Sequence, residues 1–300
     1  MEKADIYNGL INQLNNVTKN YGNEKGYSTV STYYNNVTDF AEFVAYEYSL
    51  QKLENVKAKH IFAYVEKLKS EGKAESTIRT RLSAIRFFHK EVGGKNNIPD
   101  NDRLDLSKRE RGTINKAWND SEIRKAVDIA KSEGKERIAL SIRVSSEFGL
   151  RIDETASLKK EQIKESSIEI KGKGGKVRNV VIETPEQRKL IEELKDYADR
   201  KGEKYIFSEG NVKATKRELE KWVESRRNDF LNKDRTKNTP KNEKPRTENL
   251  TFHGLRYRYA QKKYEREINR GHTENYAKKA VSVSLGHERT EVTNIYLARK

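Results

Sequence analysis

Two short stretches of alternating apolar and polar residues, 167–171 and 177–182, lie on either side of a glycine-rich tetrapeptide at 172–175. Alternation with a period of two is typical of β-strands, and glycine permits the tight turn that joins two antiparallel strands. Most other apolar residues recur three or four positions apart, as they do on one face of an α-helix. The sequence therefore predicts a mainly α-helical chain with a small antiparallel β-sheet, for which 205–207 is a candidate third strand.

The first 95 residues contain four amphipathic helical patterns, which predict an all-α domain over 1–95. The fourth pattern carries four basic side chains around its apolar stripe: Arg79, Arg81, Arg86 and Lys90. Such side chains can contact nucleic-acid phosphates, and contacts of this kind position a protein without reading the base sequence. A solvated helix face explains the same pattern equally well.

A polar stretch at 96–117 shows little periodicity and is predicted to be a linker. The second unit, 118–300, opens with the pentapeptide 118–122 (Trp-Asn-Asp-Ser-Glu), which is typical of a capped helix start with Glu in the first turn. Because this unit holds the strand patterns as well as helical ones, we predict a mixed α/β domain.

The chain carries 62 Lys and Arg residues against 46 Asp and Glu, a net charge of +16. This excess favours a polyanionic partner, with nucleic acid as the default, although a merely soluble Lys-rich protein would also show it. Cysteine is absent, which excludes disulfides, thiolate metal sites and thiol catalysis. No apolar run is long enough to cross a bilayer and the N-terminus is not a secretion signal, so we expect a cytoplasmic protein with no membrane partner.

Three motifs in the second unit combine residue types that suit a phosphate diester. They are Gly149-Leu150-Arg151 with Glu154 three residues later, His253-Gly254-Leu255-Arg256, and Leu285-Gly286-His287 with Tyr296 nine residues after the histidine. A planar guanidinium binds phosphate oxygens in bidentate fashion and keeps its charge. Histidine can give or take a proton near neutral pH. Each residue alone is more often a surface arginine or a core tyrosine, so the prediction depends on their combination.

The order and spacing of these motifs over 118–300 resemble the tyrosine recombinase (phage-type integrase) family. That family carries an arginine in a Gly-Leu-Arg box, a β-hairpin lysine, a His-x-x-Arg box, and a Leu-Gly-His box with a tyrosine nine residues on. Residues 1–95 are similar, more loosely, to the DNA-clamping core-binding domain of the family. The resemblance implies two domains that form a C-shaped clamp around a DNA duplex.

The resemblance also implies a role for each motif residue. Tyr296 would attack the scissile phosphate and form a 3′-phosphotyrosyl link. Arg151 and Arg256 would hold the non-bridging oxygens and stabilise the pentacoordinate transition state. His253 would handle the proton of the tyrosine, and His287 would hydrogen-bond the phosphate.

Two further roles concern residues that flank these groups. Glu154 would orient the arginine box without touching DNA. Lys173, in the Gly-Lys-Gly of the hairpin, would protonate the leaving 5′-oxygen, with Lys171 and Lys176 as alternatives on the same hairpin. Because the phosphotyrosine keeps the bond energy, the resemblance implies rejoining without ATP and without a metal or other cofactor.

The implied substrate is double-stranded DNA rather than a small molecule, and the implied assembly is a homotetramer on DNA. The expected reaction is site-specific strand exchange through a Holliday junction, as in integration or excision of a mobile element. Two alternatives stay open: a type IB topoisomerase that relaxes supercoils, and a catalytically idle DNA-binding regulator. Only four residues follow Tyr296, whereas many members carry a further segment that docks on a neighbour, so the tail gives the tetramer no support.

Overall fold

The computed structural model describes residues 2–20, 27–106, 114–172, 175–237, 247–287 and 291–297. The chain divides into two compact units, Met1–Arg109 and Glu110–Lys300. The prediction of a mainly α-helical chain with a small antiparallel β-sheet is confirmed.

The first unit is helical throughout its described part, with two additional short 3₁₀ turns. Its helices are α1 (Lys3–Asn20), α2 (Tyr27–Tyr48), α3 (Ala58–Ser70) and α4 (Glu75–Glu91). The apolar residues that recur at helical spacing meet in one core, which includes Leu10, Leu14, Phe40, Ile61, Leu82 and Phe88. Leu104 and Leu106, which lie within the predicted linker, also pack on this core.

The second unit contains further helices around a two-stranded hairpin. Its elements are α5 (Asp120–Ser132), α6 (Glu136–Phe148), α7 (Ile152–Ala156), β1 (Ser167–Lys171), β2 (Val177–Val181), α8 (Pro185–Lys201), α9 (Val212–Phe230), α10 (His253–Asn269), α11 (Glu274–Leu285) and α12 (Glu291–Leu297). The predicted capped helix start is present. The side chain of Asn119 accepts from the backbone N–H of Glu122, and the side chain of Glu122 accepts from the backbone N–H of Asn119.

The hairpin pairs β1 with β2 in antiparallel register, so that Ile170 lies opposite Arg178. The predicted third strand at 205–207 is wrong, because in the described residues the sheet has two strands. Ile206 does donate its backbone N–H to the carbonyl of Leu158 at 2.8 Å, but no ladder follows. The segment is apolar because Ile206 and Phe207 are buried in the core.

Helix α10 lies between two apolar clusters of the second unit. Leu255 packs in the cluster that contains Trp118 and Phe230, whereas Tyr259 and Ala260 pack in the cluster that contains β1 and β2. Burial on both sides fixes the first turn of α10, which carries His253 and Arg256. No helix in the described part of the chain combines the length and apolar composition needed to cross a membrane.

Candidate active site

The first turn of α10 packs unusually closely against the segment that precedes α5. A Cβ at position 254 would lie 2.4 Å from the carbonyl oxygen of Lys116 and 2.6 Å from Cδ1 of Trp118. The indole of Trp118 donates to the carbonyl of Thr251 at 2.9 Å, which fixes this approach. The glycine between His253 and Leu255 is therefore required by the lack of space, and any larger residue would shift the histidine.

Arg256 joins the ends of two helices. Its guanidinium donates to the carbonyl of Gly149, after α6, and to the carbonyl of Leu285, the last residue of α11, at 2.5 Å each. Both helices end in a left-handed glycine, Gly149 (φ 66°) and Gly286 (φ 67°), a conformation that glycine adopts without strain. The glycines of the first and third motifs thus end the two helices whose terminal carbonyls accept hydrogen bonds from Arg256.

Glu154 is shared by three guanidinium groups. Its carboxylate accepts from the backbone N–H of Arg151 at 2.7 Å and from the side chain of Arg151 at 2.8 Å. Arg178 donates to both carboxylate oxygens at 2.8 Å each, and Arg256 lies 3.8 Å away. Burial alone would raise the pKa of Glu154, but the hydrogen bonds and charges of these arginines outweigh it and lower the pKa to about 2. Three cations around one anion leave a net positive site.

Arg178 was not predicted from the sequence. It lies on β2, where Ile170 on the opposite strand and Val180 two residues on are both buried. A charged residue at a core-facing strand position needs a partner, and this was the signal that could have identified it. Its Nε also donates to the carbonyl of Ser284 at 3.0 Å, so Arg178 links the hairpin to the end of α11.

Tyr296 covers this positive site. Its side chain lies against three rings, with centroid distances of 4.5 Å to Tyr257, 5.0 Å to His287 and 5.8 Å to His253. The phenolic oxygen lies 3.4 Å from Nε2 of His253, and Cζ of Arg256 lies 5.7 Å from the centre of the tyrosine ring. Arg256 is 0% exposed and Tyr296 8%, so an anion cannot reach Arg256 in this arrangement of the side chains. Tyr257, like Arg178, was not singled out from the sequence.

Both histidines of the site are held neutral. Desolvation lowers the pKa of His287 to about 4, and the charges of Arg256 and Arg151 add to the effect. The pKa of His253 also falls to about 4, because surrounding protein atoms desolvate the ring even though part of the residue is exposed, and the charges of Arg256 and Arg151 add to the effect. Burial, followed by the charge of Arg151, lowers the pKa of Arg256 to about 10, so this guanidinium stays charged at neutral pH.

Of the sequence-predicted site residues, the structure brings Tyr296, Arg151, His253, Arg256, His287 and Glu154 together. Lys173 lies outside the described residues. Lys171 and Lys176 are exposed residues at either side of the hairpin tip.

The four predicted DNA contacts of α4 differ in their surroundings. Arg81 pairs with Asp39 and donates to the hydroxyl of Tyr64 at 2.8 Å. Arg86 donates to the carbonyl of Pro99 at 2.6 Å, and Arg79 lies 3.5 Å from Glu75. Lys90 is exposed. All four stay predictions, with Lys90 the most accessible.

Two family models match the chain. The Phage integrase, N-terminal SAM-like domain matches residues 19–92, and the Phage integrase family matches residues 116–300. No curated protein sequence matches the chain.

Solved structures with a similar fold cover nearly the whole chain. A XerH site-specific recombinase bound to palindromic difH substrate in a post-cleavage complex is 20% identical, with a TM-score of 0.65, over 95% of this chain and 80% of that chain. A lambda integrase dimer bound to a COC' core site is 16% identical, with a TM-score of 0.65, over 95% and 76% of the two chains. The Tn1549 transposon integrase in complex with transposon right end DNA is 13% identical, with a TM-score of 0.61, over 97% and 95%. At these identities the likeness concerns the fold.

Proposed function

Since this chain belongs to the phage integrase family of tyrosine recombinases, which act on DNA, we propose that it cleaves and rejoins DNA strands through Tyr296. The observation that carries the proposal is the position of the Tyr296 ring, over Arg256 with its hydroxyl beside His253. A nucleophile, a proton acceptor and a cluster of cations for the phosphate oxygens therefore lie within one site.

In the cleavage step, the phenolic oxygen of Tyr296 forms a bond to the scissile phosphorus and the bond from phosphorus to the 5′-oxygen breaks. The products are a 3′-phosphotyrosyl link and a free 5′-hydroxyl. Rejoining is the reverse reaction, in which a 5′-hydroxyl attacks the phosphotyrosine. The number of phosphoester bonds is unchanged in each step, so neither needs ATP.

The phenol proton leaves through His253. With a pKa of about 4 the imidazole is neutral near pH 7, so its Nε2 can accept the proton from the hydroxyl 3.4 Å away. A hairpin lysine, which we assign as Lys173, gives a proton to the departing 5′-oxygen. An ammonium on a flexible stem suits this task because it can follow the leaving oxygen.

Arg151 and Arg256 stabilise the charge that develops on the non-bridging oxygens. The Arg151 side chain is 33% exposed and can meet a phosphate directly. Arg256 lies under the Tyr296 ring, so the ring must move aside to admit the phosphate, while its hydroxyl stays beside His253 and within reach of the phosphorus. His287, at 3.3 Å from the Arg256 guanidinium, then lies where its ring can hydrogen-bond the same phosphate.

A library of nicked duplexes with a randomised centre tests the proposal, because the target sequence is not needed in advance. Cleavage beside the nick releases a short fragment that diffuses away and traps the covalent adduct. We expect adducts that survive denaturation, form equally with EDTA, and map to Tyr296, and we expect none from Tyr296→Phe. An adduct on another residue, or hydrolysis without an adduct, would overturn the mechanism. The recovered sequences supply the enriched duplex for later measurements.

We extend the proposal to strand exchange between two sites through a Holliday junction, as in integration or excision of a mobile element. Exchange cuts four strands, which favours four protomers on the DNA. Structures of similar fold include a lambda integrase tetramer bound to a Holliday junction and a transposon integrase. Mass photometry on a four-way junction built from the enriched duplex should give four protomers per junction, together with resolved products. Relaxation of a supercoiled plasmid that lacks the enriched sequence would favour a type IB topoisomerase instead.

A further inference from the structure

We infer that Arg178 is a positioning residue, which holds the β-hairpin against the phosphate-binding arginines and so places the hairpin lysine beside the leaving 5′-oxygen. The inference rests on the proposed function, because Arg178 would affect one step of that reaction, the transfer of a proton to the leaving 5′-oxygen. Arg178 itself does not touch the reacting atoms.

The side chain of Arg178 hydrogen-bonds to two other segments of the chain. Two guanidinium nitrogens donate to the two oxygens of Glu154, the fork-to-fork geometry that gives an arginine–carboxylate pair its directional strength. The third nitrogen donates to the carbonyl of Ser284. These bonds use three of the five N–H groups of the guanidinium and engage each of its nitrogens, and the side chain is only 9% exposed. Arg178 is therefore oriented towards protein groups rather than presented to a phosphate. Arg151, at 33% exposed, differs in this respect.

Three separate segments meet at this side chain. Glu154 belongs to α7, Arg178 to β2, and Ser284 to the end of α11, two residues before the glycine of the third motif. A Cβ at position 286 would lie 2.9 Å from Cδ of Arg178. A side chain at 286 would therefore displace the arginine. Position 286 thus favours glycine for two reasons, its positive φ and the lack of space beside Arg178.

The Arg178–Glu154 pair lies close to the hairpin tip. A Cβ at Gly172, the first tip residue, would lie 3.6 Å from a terminal nitrogen of Arg178 and 3.7 Å from Oε1 of Glu154. The backbone that leads into the tip therefore passes directly beside the Arg178–Glu154 pair.

A two-stranded hairpin is marginally stable in water and needs packing from elsewhere. Here one face is buried through Ile168, Ile170 and Val180, whereas Val177 and Val181 on the other face are exposed. Arg178 supplies the polar anchor at the end of the buried face nearest the tip. Without it the strands would still pair, but the end of the hairpin at Gly172 would lose its anchor to Glu154 and Ser284.

The test compares two leaving groups in the enriched nicked duplex, the natural 5′-oxygen and a 5′-sulfur at the same bridging position. When the phosphorus–oxygen bond breaks, the departing alkoxide needs a proton. When the phosphorus–sulfur bond breaks, a thiolate departs without one, because a thiol is far more acidic than an alcohol. A defect in placing the proton donor therefore affects the oxygen substrate alone.

Arg178→Lys and Arg178→Gln should cleave the oxygen substrate on the order of 10²-fold more slowly than wild type, the usual cost of a misplaced catalytic group. They should cleave the sulfur substrate within about threefold of wild type, as substitutions of the donor lysine itself should. Arg178→Lys keeps a cation beside Glu154, so it is the variant that we expect to stay folded. Hydrogen exchange at the backbone amides of β1 and β2 should be faster in both variants.

Two control variants bracket the result. Arg143 pairs with Glu193 in a two-bond contact between α6 and α8, so Arg143→Gln removes a similar pair away from the site and should leave both rates unchanged. Arg151→Lys weakens phosphate binding and should slow both substrates together. Equal losses of the Arg178 variants on both substrates would overturn the inference, as would normal cleavage of both. If wild type forms no Tyr296 adduct on either substrate, the proposed function fails first and the inference with it.

Discussion

Two arginine–carboxylate clusters, one in each unit, use the same chemistry with different ratios of charge. In the site cluster, Glu154 is shared by Arg151, Arg178 and Arg256. In the N-terminal cluster, the one ion pair that Asp39 makes within the described residues is with Arg81, and the hydroxyl of Tyr64 bonds to both side chains. In the N-terminal cluster the charge of Arg81 is balanced by Asp39, whereas the site cluster keeps an excess of about two positive charges. The excess of cations over anions, rather than burial, distinguishes a site prepared for a phosphate from a structural ion pair.

Each cluster also contains a buried tyrosine, and the partners differ. Tyr64 donates to Asp39 at 2.7 Å. Burial, together with this hydrogen bond to a carboxylate, raises the pKa of Tyr64, which keeps the phenol protonated. Tyr296 instead faces His253, a neutral base, above a guanidinium. In the proposed mechanism, only the second arrangement provides a base that can take the phenol proton.

Removal of each carboxylate should give the largest difference between the clusters. In Glu154→Gln an amide N–H₂ replaces an acceptor and faces the donors of Arg178, which leaves buried guanidinium groups unpaired. We expect the free energy of unfolding to fall by about 3–5 kcal/mol and cleavage to be lost. Arg81 and Tyr64 both donate to the same oxygen of Asp39, whereas the donors to Glu154 occupy both of its oxygens. The one acceptor oxygen of an amide can therefore replace the carboxylate in Asp39→Asn, which should cost about 1 kcal/mol, with cleavage of bound duplex unchanged. Urea unfolding and single-turnover cleavage measure both.

Added sulfate tests whether the site cluster binds anions. An anion that enters the site cluster would replace the missing carboxylate, so sulfate should restore more stability to Glu154→Gln than an equal ionic strength of chloride does. Asp39→Asn should gain no such specific benefit. If both variants respond alike, the excess charge of the site cluster does not bind anions and the comparison fails.

Replacement of one arginine in each cluster should give the next largest difference. A lysine at 256 lacks the planar fork with which Arg256 joins the carbonyls of Gly149 and Leu285, and it offers the phosphate a single point of charge. Single-turnover cleavage by Arg256→Lys should therefore be about 10²–10³-fold slower than wild type, the cost of losing one preorganised donor. Arg81→Lys should lower stability by about 1 kcal/mol and leave the cleavage rate of bound duplex intact. A slow Arg81→Lys on saturating DNA would contradict the division between the clusters.

The sequence predicted the site cluster better than the N-terminal one. Arg151, His253, Arg256 and Tyr296 belong to short motifs with fixed spacing, and a single helical turn explains why His253 and Arg256 act together. Arg178 could not be recognised in the same way, because its role depends on the strand register and on Glu154, 24 positions away. Nothing local to β2 reports that partner.

The same limit applies to α4. Its amphipathic pattern gives the helix and its buried face, but the pattern cannot show that Arg81 pairs with Asp39, 42 positions earlier. The apolar run at 205–207 predicts a strand but forms none, because a short buried segment has the same sequence pattern whether or not a partner strand lies beside it. Local periodicity predicts elements and faces, whereas the partners of charged groups depend on tertiary contacts.

Proton uptake on DNA binding should distinguish the histidines of the two units. The charges of Arg256 and Arg151 contribute to the low pKa of His287. A phosphate beside it cancels part of that charge, so the pKa should rise from about 4 towards its ordinary value. Binding should therefore take up protons most strongly between about pH 4 and pH 6.5 and not above pH 8. Calorimetry at pH 5 in two buffers of different ionisation enthalpy measures the uptake.

Variants separate the contributions to this uptake. His287→Gln and His253→Gln should each reduce it by a fraction of a proton. Burial also lowers the pKa of His60 in the N-terminal unit, and the charges of Lys59 and Lys57 add to the effect. His60 lies outside the site cluster, so His60→Gln should leave the uptake unchanged. Equal reductions from His60→Gln and His287→Gln would mean that DNA does not place its phosphate in the site cluster.

The smallest expected effect concerns α4, where the accessible and the internally paired cations lie on one helix. Each phosphate contact adds about 0.9 to the slope of log affinity against log salt. Lys90 is exposed, so Lys90→Ala should reduce the slope by about that amount, whereas Arg81→Gln should leave it unchanged because Asp39 and Tyr64 occupy the guanidinium. Fluorescence anisotropy over a salt series measures each slope. A full reduction from Arg81→Gln would mean that the N-terminal cluster opens on DNA, so that its one-to-one charge ratio would no longer identify it as structural.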